Sequence, residues 1–129
     1  MASGLPAATG DVLTASTVNG LVTFTVGSDQ TADYTAVLTD QYQVLVPMNK
    51  ATAVAFKIPT NASVAFPVGT AITVLNKGAG TVTVSAVTSG TTTVLSAGAT
   101  AAAPTLGQYK TAVALKVAVD TWYIVGSIG

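Results

Sequence analysis

Apolar and polar residues alternate along most of this chain with the two-residue period of a half-buried strand. In Gly20–Val26, the residues Val22, Phe24 and Val26 fall on one face and Thr23 and Thr25 on the other. Asp33–Leu38 predicts a short second strand, and Thr39-Asp40-Gln41 a turn after it. Tyr42–Met48 predicts a third strand, with Pro47 marking its end or a sheet edge. Ala53–Ile58 sets Val54, Phe56 and Ile58 against Lys57.

The stretch from Ile58 to Gly80 organises the rest. Pro59, Asn61 and Ser63 predict a turn, and Pro67 and Gly69 lead into a strand at Thr70–Asn76. Gly78-Ala79-Gly80 predicts a tight hairpin into Thr81–Ala86, where Val82 and Val84 alternate with Thr81, Thr83 and Ser85. Thr91–Leu95 is a further short strand, and Ser96–Pro104 a loop of small residues. Thr111–Val119 places Val113, Leu115, Val117 and Val119 on one face with Lys116 opposite. Asp120-Thr121 turns the chain into Trp122–Gly126, a hairpin whose Trp122 and Tyr123 are expected to close one end of the core.

Closely spaced strands with turn signals between them, and no helical period, predict an all-β fold. The expected form is a single antiparallel β-sandwich or small β-barrel. It spans residues 20–129, behind an extended N-terminal arm at 1–19 that is either a loose tail or lies on a neighbouring subunit. The expected core is Val22, Phe24, Val54, Phe56, Ile72, Val74, Val82, Val84, Leu115 and Trp122. A slip of one residue inverts any of these assignments. No internal repeat or linker stands out.

Composition narrows the chemistry. Only 8% of the residues are charged, against roughly 25% in an ordinary soluble domain. There is no Arg, Glu, His or Cys, and five Lys balance five Asp. The usual zinc ligand sets and the Ser–His and Cys–His nucleophile systems are therefore missing. So is the bidentate guanidinium clamp on carboxylates or phosphates. Zero net charge argues against nucleic acid, whose binding rests on neutralising phosphates. Neither a secretory leader nor an apolar run of about 20 residues is expected from the pattern. Absence of Cys fits a reducing compartment or a fold that needs no disulfide. A surface this poor in charge suggests burial between subunits. The alternative is a surface solvated by Thr and Ser hydroxyls.

Few residues invite a chemical role. Asp11, Asp29, Asp33, Asp40 and Asp120 are the only acids, and all fall at turns or strand ends, where Asp satisfies local backbone N–H groups. A glycosidase needs two carboxylates flanking one bond, and calcium a DxDxDG-like loop. Gly78-Ala79-Gly80 lacks the helix and Lys-Ser/Thr of a phosphate loop. Asn61-Ala62-Ser63 matches the glycosylation sequon, discounted without a leader. Thr23/Thr25 and Thr81/Thr83 lack the solenoid period of an ice-binding array. Tyr34, Tyr42, Tyr109, Trp122 and Tyr123 are expected in the core or an interface more often than on a sugar. The reading assigns no catalytic, cofactor-binding or metal-binding residue.

In their order, several landmarks resemble one β-module. They are Asp33-Tyr34-Thr35, Pro59 with Asn61-Ala62-Ser63, Phe66-Pro67-Val68-Gly69-Thr70, Gly78-Ala79-Gly80 and Asp120-Thr121-Trp122 with Gly126. The module is that of tailed-bacteriophage virion proteins, at the ends of tail fibres and in small head-associated proteins. Asp11-Val12-Leu13-Thr14-Ala15 with Asn19 also resembles an opening segment of such proteins. The resemblance implies a non-enzymatic virion component assembled in the host cytoplasm. With the module filling nearly the whole chain, the expectation is a homo-oligomeric capsid decoration (cement) protein. It would bind the major capsid protein, itself, or both. The alternative is a tail-fibre or tail-tip module binding a host surface glycan or receptor. Neither nucleic acid nor membrane is expected as a partner, and no cofactor is implied.

Overall fold

The computed structural model describes residues 25–129. The expected arm, with Asp11, Val22, Thr23 and Phe24, lies outside them. The described strands are β1 (Thr25–Val26), β2 (Tyr34–Thr35), β3 (Gln43–Met48), β4 (Val54–Ile58) and β5 (Ala71–Asn76). They continue with β6 (Val82–Ala86), β7 (Thr93–Ser96), β8 (Thr105–Leu106), β9 (Thr111–Ala118) and β10 (Thr121–Gly126). One sheet has the order β1-β3-β5-β9-β10-β7 and the other β2-β4-β6-β8.

The all-β expectation holds, but the antiparallel one does not. From β3 to β8 the chain changes sheet at every connection. Several successive passes through a sheet are neighbours and run parallel: β1 with β3, β3 with β5, β2 with β4 and β4 with β6; β7 also runs parallel to β10. Only β5–β9, β9–β10 and β6–β8 are antiparallel. Three parallel pairs keep one sequence offset, setting Val46 beside Val74, Val54 beside Val82 and Val94 beside Trp122. That repeat lies in the backbone path and not in residue identity, so the sequence hides it.

Gly78-Ala79-Gly80 is accordingly no hairpin, because β5 and β6 belong to different sheets. The glycines serve a close approach instead. Lys77 N–H and Gly80 N–H donate to the carbonyls of Met48 and Lys50, at 2.8 and 2.9 Å. A Cβ at Gly78 or Gly80 would run into the backbone of Lys50 or Thr52. Gly80→Ala is expected to lower stability by about 1–3 kcal/mol, the usual range for overpacking. Gly90→Ala, with open space around it, is the neutral control in the same urea titration.

Strands β4, β5, β6, β9 and β10 alternate buried with more exposed positions. Val54, Phe56 and Ile58 of β4, Ile72 and Val74 of β5, Val82 and Val84 of β6, and Trp122 of β10 are buried as expected. The core draws on both sheets. Leu115 is a correction. In β9 the buried residues are Ala112, Ala114 and Lys116, while Val113 and Leu115 lie half-buried and Val117 exposed on the other side. Ala114 lies between Ile72 of β5 and Ile124 of β10, and Lys116 lies beside Trp122. Tyr123 likewise does not close the core but is 44% exposed on the outer side.

The expected strand Asp33–Leu38 shrinks to two residues. Asp40 draws the chain into a 3-10 turn at Leu38–Tyr42, its Oδ2 accepting from Val37 N–H at 2.9 Å. Strand β8 lay unseen after the small-residue loop. It is pinned by Gly129 N–H donating to the Thr105 carbonyl at 2.7 Å. The turn after β4 is as expected, closed by Val64 N–H donating to the Thr60 carbonyl at 3.0 Å.

Candidate interaction surface

The outer side of the larger sheet is the most distinctive surface of the described residues. Its register sets cross-strand rows side by side. Leu95, Tyr123, Leu115 and Ala71 form one row across β7, β10, β9 and β5. Val125, Val113 and Thr73 form the next, one pleat along. No member of either row is charged. Cross-strand neighbours on one face stand about 5 Å apart, so the apolar members of these rows, all but Thr73, adjoin one another in an apolar field. At its β7 border lies a groove of about 410 Å³, walled by Leu95, Ala97, Tyr123, Val125 and Ile128.

This surface explains the inverted reading of β9. Both sides of that strand are apolar or small, so alternation alone does not say which faces inward. The lysine reads as the solvent side, yet Lys116 is only 2% exposed.

Lys116 is the most unusual polar residue of the interior. Its Nζ donates to Asn61 Oδ1 and to the Phe66 carbonyl, both at 2.6 Å. It also sits 6.0 Å from the centre of the Trp122 ring, which meets Phe66 edge-on at 5.5 Å. The ion pairs among the described residues are Lys57–Asp33 and Lys77–Asp29, so none involves Lys116. Asn61 is in turn held by Asp120, whose Oδ1 accepts from Asn61 N–H at 2.6 Å and from Thr92 Oγ1 at 3.2 Å. Asp120 adopts a left-handed φ of 56° at the β9–β10 turn. The sequon asparagine is therefore tied to a buried amine.

The described acids are structural ties, reaching further than local turns. Asp33 accepts from Ala55 N–H at 2.9 Å, joining the start of β2 to β4. Asp29 binds Lys77 Nζ at 2.9 Å and Asn49 Nδ2 at 3.0 Å. Asn49 first and Lys77 second hold its carboxyl below the usual range. Asp40 is buried and takes the Tyr34 hydroxyl at 2.7 Å. Burial, then that carboxylate, push the Tyr34 phenol well above its ordinary value. Among the described residues no three potential metal-ligating side chains gather, and no helix is long and apolar enough to cross a membrane.

The remaining aromatics divide. Tyr34 packs on Phe56 with ring centres 6.0 Å apart, whereas Tyr42 and Tyr109 are 65% and 77% exposed. Thr81 is exposed and Thr83 half-buried, as ordinary strand residues. Comparison with protein-family models, with curated proteins and with solved structures finds no match for this chain.

Proposed function

We propose that this chain is a non-enzymatic structural component of a tailed-phage virion. In this reading it is a capsid decoration protein that binds across capsid subunits and to copies of itself. The observation that carries the reading is the uncharged apolar field on β5, β9, β10 and β7. A surface of that kind is an assembly surface, because monomers rarely leave a large contiguous apolar patch in water. Zero net charge and the paucity of ionisable residues fit the same purpose. The two sheets act as a β-sandwich, the smaller closing the core and the larger turning its outer side to a partner. Cementing then works by repetition, since symmetric assembly multiplies modest contacts.

The test is co-sedimentation of the purified protein with capsids that lack it. Val125→Asp places a carboxylate in the field beside its groove, at a position already 46% exposed. The variant is expected to fold at a cost of about 1 kcal/mol, the difference between Val and Asp in a strand. Capsid binding is expected to fall at least about tenfold, since an unpaired carboxylate is costly to bury. Undiminished binding by the folded variant would remove the field from the account.

A second reading rests on the two exposed tyrosines. Tyr109, with its left-handed φ of 66°, stands out from the loop before β9 and offers a ring face to a sugar. A fibre-tip module binding a host surface glycan would use it. Cell binding by the purified protein, lost in Tyr109→Ala, would favour this reading over decoration.

A further inference from the structure

We propose that Lys116 and Asn61 condense to an intramolecular isopeptide bond, tying β9 to the turn after β4. The pair is set for it by geometry. Lys116 Nζ lies 2.6 Å from Asn61 Oδ1, and an amide C=O is about 1.2 Å long, which puts Nζ about 3–4 Å from Cγ. Reacting atoms in a near-attack arrangement stand about 3–3.5 Å apart with orbitals aligned, so the Nζ that now donates to Oδ1 needs a reorientation over the amide plane, not a long approach, to reach Cγ. Neither partner is free to drift. Lys116 is buried under Trp122 with a second hydrogen bond to the Phe66 carbonyl, and Asp120 holds the Asn61 backbone at 2.6 Å.

The reaction also removes an electrostatic burden. Nζ is a buried amine with no carboxylate within 4.0 Å among the described residues. An unpaired buried ammonium is costly. In the condensation the Nζ–Cγ bond forms and the Cγ–Nδ2 bond breaks. One proton of the Lys116 ammonium is first released to water, because only the neutral Nζ has the electron pair that attacks Cγ. A second passes from Nζ to Nδ2, and the departing ammonia takes up a proton from water to become an ammonium ion. Atoms and charge balance without an oxidant, a reductant or a second substrate. The product is a neutral amide whose lysine end lies against Phe66 and Trp122, and the charge departs to water. Asp120 is a positioning residue here, since it touches the Asn61 backbone and not the reacting atoms. Such a tie cross-links two distant parts of the chain and does not depend on the virion reading.

The experiment is intact mass measurement of the purified, denatured full chain, followed by peptide mapping. The expected result is a chain lighter by one ammonia than its sequence mass, with one branched peptide joining Asn61 to Lys116. Lys116→Arg is expected at its full sequence mass. Asn61→Asp is expected to lose one water instead, because a carboxylic acid then meets the same amine. The unaltered chain at its full sequence mass would overturn the proposal. So would loss of ammonia confined to the Asn61 peptide without a branch, which is cyclisation of that asparagine onto its own backbone. The unaltered protein alone decides the matter, so a variant that fails to fold does not blur the outcome.

Discussion

Trp122→Ala is expected to lower stability by about 3–5 kcal/mol, the usual cost of emptying a large aromatic site. Trp122 is 2% exposed and its strand lies between β9 and β7, so neighbouring strands cannot readily close on the vacancy. Phe66 loses the ring it meets edge-on, and Lys116 loses the aromatic face above it. For a domain stable by about 5–15 kcal/mol, that is a large share of the total. Tyr123→Ala, one residue along, is the control. Tyr123 points outward, and losing its cross-strand contacts should cost under about 1 kcal/mol. Urea unfolding followed by circular dichroism measures both, since Trp122 is the only tryptophan and its fluorescence disappears with it. Equal effects would mean that β10 is not oriented as described.

Asn76→Ala is expected to have a comparable effect for a different reason. Asn76 is fully buried at the end of β5. Its Nδ2 donates to the carbonyls of Gly80 and Leu106 at 2.8 and 2.9 Å, and its Oδ1 accepts from Gly78 N–H at 3.1 Å. One side chain thus satisfies three backbone groups and fastens the β5–β6 crossing to β8. Each group left without a good partner costs about 1–3 kcal/mol, and Gly78 N–H keeps only a long bond of 3.4 Å to the Met48 carbonyl, so the loss should reach about 3–5 kcal/mol. Asn76→Asp should do no better, because a carboxylate supplies no donor for the two carbonyls. A drop below about 1 kcal/mol in the denaturant midpoint analysis would show that water replaces the asparagine without penalty.

These two residues mark how far the sequence could be read. Trp122 was legible as core because a large aromatic within an alternating strand has few other places to go. The alternation also identified Val54, Phe56, Val82 and Val84 as core, opposite Lys57, Thr83 and Ser85. Ile72 and Val74 instead stand out as the β-branched apolar residues of a strand whose other side, Ala71, Thr73 and Leu75, is no more polar. It failed at β9, where Val113 and Leu115 face outward over Ala112, Ala114 and Lys116. Two apolar sides leave the period intact and the direction undetermined. Parallel pairing was hidden for a related reason. A short glycine-bearing connection reads as a hairpin, and only the partner strands show that it crosses between sheets. The candidate surface was legible only as a shortage of charge. Where the field lies depends on register. The Lys116–Asn61 pair, 55 positions apart, left no local signal because fold topology alone brings the two together.

The assembly reading is tested most directly by gold-labelled antibody imaging of intact particles from the source lysate. The decoration account predicts label spread evenly over the heads. Label confined to the tails would contradict it in favour of the glycan-binding reading. Particles without label would contradict a virion role altogether.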